Sequence, residues 1–458
     1  MKTPEIKGKS VLILGYGREG KSIHRWLTTH YPDIRVGIAD RRVETGSTTG
    51  EIYNGAAVYN GEGYLFHLDE YDTVVRSPGI SPYLPEISEY IKKGGHVTSA
   101  TNIFFSLVRG TTIGITGTKG KSTTSSLIAH ILSSSIKDVR LAGNIGEPML
   151  DSLGTADANT VFVLELSSHQ LLDCRYSPHI AVMLGIVSEH LDYYPDFLSY
   201  VNAKGNITRH QGTGDYFVYN PTHTYVREIA KTTAANHVRF GADKTSELQT
   251  YIQRSIIMVN ATDGESPVIN LADVPLLGNV ENVLAAVTVA HLMDVPVISI
   301  AAAITPFQSL PHRLEYVGEY RGVRFYNDSL ATIPQATVHA LEALGPDVVT
   351  LLAGGYDRSL DFTELGAYLR SHFVPTLILF PDTGKKIWEA IGEVQQDYPI
   401  QKFEVSSMEE AVRLAYKHTP QGKICLLSPA SASYNMFRDY EDRGNQFKTA
   451  VRELGTPR

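Results

Sequence analysis

Thr111-Thr-Ile-Gly-Ile-Thr-Gly117-Thr-Lys-Gly-Lys121-Ser-Thr-Thr124 is the stretch that decides how the chain is read. Ile113 and Ile115 predict a buried strand, and Gly117, Thr118, Lys119 and Gly120 form a small-residue loop. Lys121, Ser122 and Thr123 follow, and residues 125–132 repeat apolar side chains at helical spacing. Strand, glycine loop and helix, in that order, aim backbone N–H groups and a helix N-terminus at an anion. In such a loop the lysine reaches the outer phosphates of a nucleotide, and the next hydroxyl reaches Mg²⁺. A Gly/Ser/Thr turn that only caps a helix is the simpler alternative. The Gly-Lys-Ser order in a strand–helix context argues against it. The common form of the motif has glycine where this chain has Ile115, so the loop is a variant.

The whole chain sets the bounds. Of its 458 residues 43% are hydrophobic and 20% charged, the balance of a soluble globular protein of several domains. Lys plus Arg number 41 and Asp plus Glu 49, so the net charge is 41 − 49 = −8. That argues against general affinity for nucleic acid or an anionic membrane, so anionic ligands must be met by local cations. Cys174 and Cys425 are the only cysteines and form no CxxC. This usage suits a reducing cytoplasm and argues against a disulfide framework or a cysteine-ligated zinc. The apolar run at 11–14 is too short for a leader or membrane helix, and a cytoplasmic protein is expected.

Upstream, that apolar run reads as a buried parallel strand and leads into Gly15-Tyr16-Gly17-Arg18-Glu19-Gly20 and a helix. Asp40 closes a second strand 20 residues beyond Gly20. The pattern is the dinucleotide fingerprint, with an acid for a ribose hydroxyl. A fold half that packs on its glycines and binds nothing is the alternative. Ser77-Pro78-Gly79-Ile80 places a second small turn at a strand end, where ligands collect in open α/β sheets. Both turns can face one diphosphate. A nicotinamide cofactor stays open here, although nothing nearby supplies a hydride-transfer site.

Downstream, strand and helix keep alternating, as a mostly parallel sheet requires. Asn144 sits in a tight Gly-Asn-Ile-Gly loop. A core strand at 161–164 ends at Glu165, where a magnesium carboxylate belongs, although a surface acid or cap reads the same way. A lone His190 or Lys204 is ordinarily structural or solvated. Asn279 and Asn282 lie one helical turn apart and fit either a base contact or a cap. Beyond 307 the sequence predicts a third α/β unit with polar loops at its strand ends. Arg313, Arg358 and Ser433 there are candidate anion contacts.

Taken together, these motifs closely resemble the Mur ligases of peptidoglycan precursor synthesis, over nearly the full length. Thr116 to Thr123 meets the family's variant loop, which accounts for Ile115. Glu165 to Gln170 meets its Glu-x-Ser-Ser-x-Gln element, His190-Leu191-Asp192 its histidine–aspartate element, Leu310 to Glu315 its Leu-Pro-His-Arg-x-Glu, and Asp328 to Thr332 its Asp-Ser-x-Ala-Thr. The likeness is greatest to the member that adds D-glutamate to UDP-N-acetylmuramoyl-L-alanine. Departures from the family pattern are Glu189, the missing histidine before Asn279, Leu330, Ile333, Arg358 and Asn435. Several lie near the expected amino-acid pocket and keep L-glutamate open as the added residue. Other ligases of the superfamily, such as folylpolyglutamate synthetases, are further alternatives, as are a nicotinamide dehydrogenase and a P-loop switch without ligase activity.

The resemblance implies three α/β domains: a Rossmann-like UDP-substrate domain at 1–108, a central P-loop ATPase-like parallel-sheet domain at 109–306, and a Rossmann-like amino-acid-binding domain at 307–458. It implies ATP and Mg²⁺, and an amide ligation through an acyl phosphate by a monomer. Lys121, Glu165, His190 and Lys204 would be catalytic. Ser122, Glu165, His190 and a carbamylated Lys204 would ligate metal. Residues 117–123 with Asn282, Arg313 and Asp328 would bind ATP. Tyr16, Arg18, Asp40, Arg41, Ser77, Gly79 and Asn144 would hold the UDP substrate. Thr332, Arg358, Ser433 and Tyr440 would hold glutamate.

Overall fold

The computed structural model describes residues 3–41, 52–187, 193–245, 247–261, 264–275, 279–307, 311–358, 360–372, 374–392 and 400–455. The chain forms two compact units, residues 1–274 with 280–306, and residues 275–279 with 307–458. Each of its three sheets belongs to a separate α/β domain.

The first unit holds two sheets. The N-terminal one runs Ile52–Tyr53, Ala56–Asn60, Arg35–Asp40, Ser10–Leu14, Thr73–Arg76, His96–Thr98. Its central strand Ser10–Leu14 is fully buried, as an apolar run with parallel partners on both sides must be. The central sheet runs Gly264–Asn270, Ile256–Ala261, Thr250–Gln253, Asn236–Asp243, Tyr216–Tyr219, Ile180–Met183, Thr111–Thr116, Val161–Glu165, Val139–Gly143. It is parallel from Val139–Gly143 to Thr250–Gln253, and ends in two antiparallel pairings. The Thr111–Thr116 strand sits inside it, so the glycine loop emerges from a rigid position.

Among the described residues the second unit has one sheet, Glu315–Tyr320, Val323–Asn327, Ile424–Leu427, Val348–Gly355, Thr376–Asp382, Gln401–Glu404. Among the described residues the one antiparallel strand pairing is that of Glu315–Tyr320 with Val323–Asn327, which turns at Arg321-Gly322. Among the described residues no helix is long and apolar enough to cross a membrane.

Candidate active site

The glycine loop begins where the strand Thr111–Thr116 ends and closes on the helix Lys121–Ser133. Two glycines permit the path. Gly117 has φ +145, and a Cβ there would lie 2.7 Å from Leu184 Cβ. Gly120 caps the helix at φ +82, and its Cβ would lie 2.2 Å from Asn282 Oδ1. Asn282 lies inside the helix Val280–Leu292, buried, with its amide against the loop. Thr124 Oγ1 donates to the same amide oxygen at 3.3 Å. Gly120→Ala therefore carries both a backbone and a steric penalty at the loop. It should raise the KM for ATP by about 10²-fold, measured by steady-state kinetics, with the far-UV spectrum unchanged.

Lys121 Nζ donates to the Gly117 and Thr118 carbonyls at 3.1 and 2.9 Å, and Ser122 and Thr123 begin the helix, buried. Thr118 anchors the loop: its Oγ1 donates to Val187 O at 3.1 Å and lies 3.0 Å from Tyr200 Oη. Lys204, on the helix Phe197–Arg209, is only 1% exposed. Its Nζ donates to Gly117 O at 2.7 Å and lies 4.6 Å over the Tyr200 ring. A lone lysine on a helix is ordinarily solvated, so its burial against the loop is not legible from its neighbours in sequence. His190 lies outside the described residues.

Glu165 is buried at the end of its strand, in parallel register with Ile115. Asn144 Nδ2 donates to Glu165 Oε1 at 2.7 Å, and the Asn144 N–H donates to Glu165 O at 3.0 Å. Glu165 Oε2 and Thr116 Oγ1 are buried without a partner among the described residues. Unpartnered buried oxygens are costly unless a ligand answers them. Two of them on adjacent strand ends suit a hard cation such as Mg²⁺, which takes few carboxylates when phosphates complete its shell.

A cavity of about 450 Å³ opens beside this carboxylate. Six predicted UDP-site residues line it: Arg18, Asp40, Arg41, Ser77, Gly79 and Asn144. Glycines shape its wall. Gly15 and Gly20 pack so tightly that a Cβ would meet Ser77 and Gly15 O, whereas Gly17 faces open space, where a ligand's phosphates can approach the backbone. The Tyr16 ring is not in this wall. It is buried, with Oη 2.7 Å from His24 Nδ1, and burial pushes its hydroxyl up to about 12. Its backbone N–H instead holds Asp40 Oδ2 at 2.6 Å. Arg18 reaches the Gly146 carbonyl, and Arg76, buried, fixes the Ser77 turn through Ile80 O and Asp173.

In the second unit, Arg313 is presented between two residues with left-handed backbone, His312 at φ +66 and Leu314 at φ +43. Such strain persists where surrounding contacts enforce it; here the His312 N–H donates to Glu315 Oε2 and its ring nitrogen meets Asn327. Asp328 is buried, accepting from Ser428 Oγ at 2.8 Å and Leu314 N at 3.1 Å. Burial pushes its carboxyl up to about 7, against the pull of Ser428 and Arg313. The folded chain thus holds this proton more tightly than the unfolded one. Stability from this group is full below about pH 4 and is lost as pH rises through about 7. Asp328→Asn should remove that loss. The denaturation midpoint of the variant should rise relative to that of wild type from about pH 5 to about pH 8, and a constant difference would contradict it.

Thr332 is half-buried, Arg358 exposed and Ser433 buried at the strand-end loops. Tyr440 opens the helix Tyr440–Gly455, and its carbonyl accepts from Ser329 Oγ at 2.8 Å. Asn435 donates to Asp382 Oδ2 at 3.0 Å. An aspartate at 435 would face that carboxylate, which accounts for the departure. The residue that sequence reasoning missed is Arg443. Wholly buried, it donates to Ser329 Oγ and O and to the Ser431 and Ala432 carbonyls, tying two strand-end loops together. Burial pulls its guanidinium down to about 9, with Asp328 opposing. The Arg443-Gly444-Asn445 run, an arginine beside a glycine near the end of the sequence, was the available signal.

Comparison with known proteins bears on the whole chain. Three family models match it: Mur ligase MurD-like, N-terminal domain at 9–99; Mur ligase middle domain at 115–290; and Mur ligase, glutamate ligase domain at 312–431. The UDP-N-acetylmuramoylalanine–D-glutamate ligase of Symbiobacterium thermophilum is 35% identical, over 96% of this chain and 97% of the relative. The UDP-N-acetylmuramoyl-L-alanine–L-glutamate ligase of Salinispora tropica is 34% identical, over 99% of each. Among solved structures, the Thermotoga maritima UDP-N-acetylmuramate–alanine ligase MurC shares the fold at a TM-score of 0.59 and 17% identity, over 97% of this chain and 99% of that one.

Proposed function

Because the chain belongs to the Mur ligase family, we propose that it joins D-glutamate to UDP-N-acetylmuramoyl-L-alanine in an ATP-driven step of peptidoglycan precursor synthesis. The observation that carries this reading is the near-full-length likeness to relatives named for that reaction.

The alanyl carboxylate attacks the γ-phosphate of ATP, forming an acyl phosphate and releasing ADP. The glutamate amine then attacks the acyl carbon, loses a proton and expels inorganic phosphate. Two anions meet in the first step, so charge stabilisation dominates the catalysis. Lys121 neutralises the β/γ-phosphate oxygens, and the amides of the loop cradle them. The cavity lined by Arg18, Asp40, Arg41, Ser77 and Gly79 takes the UDP end, and Asn144 orients Glu165 beside it. Asn282 lies toward the adenine side, Arg313 and Asp328 serve the nucleotide, and Thr332, Arg358, Ser433 and Tyr440 serve glutamate, with Arg358 on a carboxylate.

Mg²⁺ fits the donor set of Ser122 and Glu165, with His190 and a carbamylated Lys204 as further ligands; when bound it screens the phosphate oxygens. Carbamylation turns the buried Lys204 cation into an anion, which is the form that suits a metal site.

The Salinispora tropica relative favours a second reading, in which the incoming amino acid is L-glutamate. Phosphate release from ATP with UDP-N-acetylmuramoyl-L-alanine and either glutamate enantiomer separates the two. Release with D-glutamate alone supports the first reading, and release with neither rejects both. A nicotinamide dehydrogenase would instead change NADH absorbance.

A further inference from the structure

One polar contact in the UDP-side cavity is unused by this mechanism. The glycine turns and the N-terminus of the helix Arg18–His30 favour an anion, and Arg18 and Arg41 line the same wall. Yet Glu19, in the first turn of that helix, lines it too. An ionised carboxylate there opposes a diphosphate.

The hydrogen bonds resolve the conflict. Gln170 is buried, and its Oε1 accepts from the Ser167 N–H at 3.0 Å, inside a capping box. A backbone N–H can only donate, so the orientation of this amide is fixed and Nε2 is the atom that faces Glu19. Gln170 Nε2 donates to Glu19 Oε1 at 2.7 Å. Oε1 is therefore the acceptor, and a proton on Glu19 belongs on Oε2. Oε2 is buried and has no partner among the described residues. The cost of a bare buried charge falls on the ionised form. Burial pushes this carboxyl up, against the pull of Gln170, Arg18 and Arg76. Asp40 and Arg41 are the other charged groups on the wall.

We propose that Glu19 is a positioning residue that works as a neutral acid, so that its protonation and the binding of the substrate's diphosphate favour each other. The proposal rests on the reading of this cavity as the UDP-substrate site. In the neutral form Glu19 ties the helix turn carrying Gly17 and Arg18 to the Ser167–Gln170 turn that follows Glu165, and adds no charge to the wall. Ionisation keeps the tie but sets a negative charge beside the diphosphate. By reciprocity, whatever protonation gives to affinity, binding gives to proton affinity.

The test is calorimetric titration of the full chain with UDP-N-acetylmuramoyl-L-alanine, without ATP, for wild type and Glu19→Gln. The glutamine keeps the acceptor for Gln170 and replaces the acid hydroxyl with a donor that does not titrate. At about pH 6 the two proteins should bind within about threefold of each other. As pH is raised from there, the wild-type Kd should weaken relative to the variant, by at most about tenfold per pH unit, and level off once Glu19 is ionised in the bound form as well. Ionisation of the uracil ring cancels in the ratio. A ratio that stays flat with pH overturns the proposal and leaves the cavity reading standing. A variant about tenfold or more weaker at pH 6 overturns it as well, since an ionised carboxylate would then be what binding needs. Failure of the wild type to bind at any pH overturns the cavity reading and the proposal with it.

Discussion

Replacing Lys121 with Ala should lower kcat for amino-acid-dependent phosphate release by about 10³-fold or more, equivalent to about 4 kcal/mol of lost transition-state stabilisation. A carboxylate approaching a triphosphate brings like charges together, and the barrier depends on how well the loop spreads that charge. Lys121 is the cation placed for it, because its Nζ sits against the Gly117 and Thr118 carbonyls, within the loop itself. Loop amides supply partial charges and retain part of the nucleotide affinity, so the loss should fall more on kcat than on the KM for ATP. Lys121→Arg restores charge with a planar, bulkier head and should recover only a fraction. A Lys121→Ala enzyme with near-normal turnover would remove this loop from phosphate chemistry.

Lys204→Ala should cost about 10²-fold or more in kcat, and the chemistry of its rescue distinguishes two roles. The side chain is buried, and its Nζ donates to Gly117 O at 2.7 Å. If its working form is the carbamate, the variant lacks an anion, and a short carboxylic acid such as acetate should restore part of the activity. If it works as the ammonium that holds Gly117, a small alkylamine should restore activity and acetate should not. Carboxylate rescue is the expected result. Wild-type turnover in Lys204→Ala would assign the residue to packing alone.

Much of the fold was legible because strong local signals agreed. The Val11–Leu14 run, the two glycine loops and the Glu165 strand end each carry their structure in a few adjacent residues, and each lies where those residues predict. The hairpin strands Thr250–Gln253, Ile256–Ala261 and Gly264–Asn270 carry no comparable signal. Their residues are half polar and sit at a sheet edge, where a buried-strand pattern is weak. The site was legible where a motif is contiguous and illegible where it depends on distant pairs. Gln170 meets Glu19 across 151 positions, and Arg443 meets Ser329 across 114. No spacing rule reports such contacts. Tyr16 belongs to the set that the resemblance implies for the UDP substrate; its ring lies in the core against His24, a contact that the glycine motif does not announce.

The central claim is that the γ-phosphate of ATP passes to the substrate carboxylate rather than to water. Synthesis of UDP-N-acetylmuramoyl-L-alanine with ¹⁸O in its terminal carboxylate, followed by turnover with ATP and glutamate, tests it by mass spectrometry of the released phosphate. The account predicts one ¹⁸O atom in each phosphate, carried from the carboxylate through the acyl phosphate. Phosphate free of ¹⁸O, with the amide product formed, would contradict it.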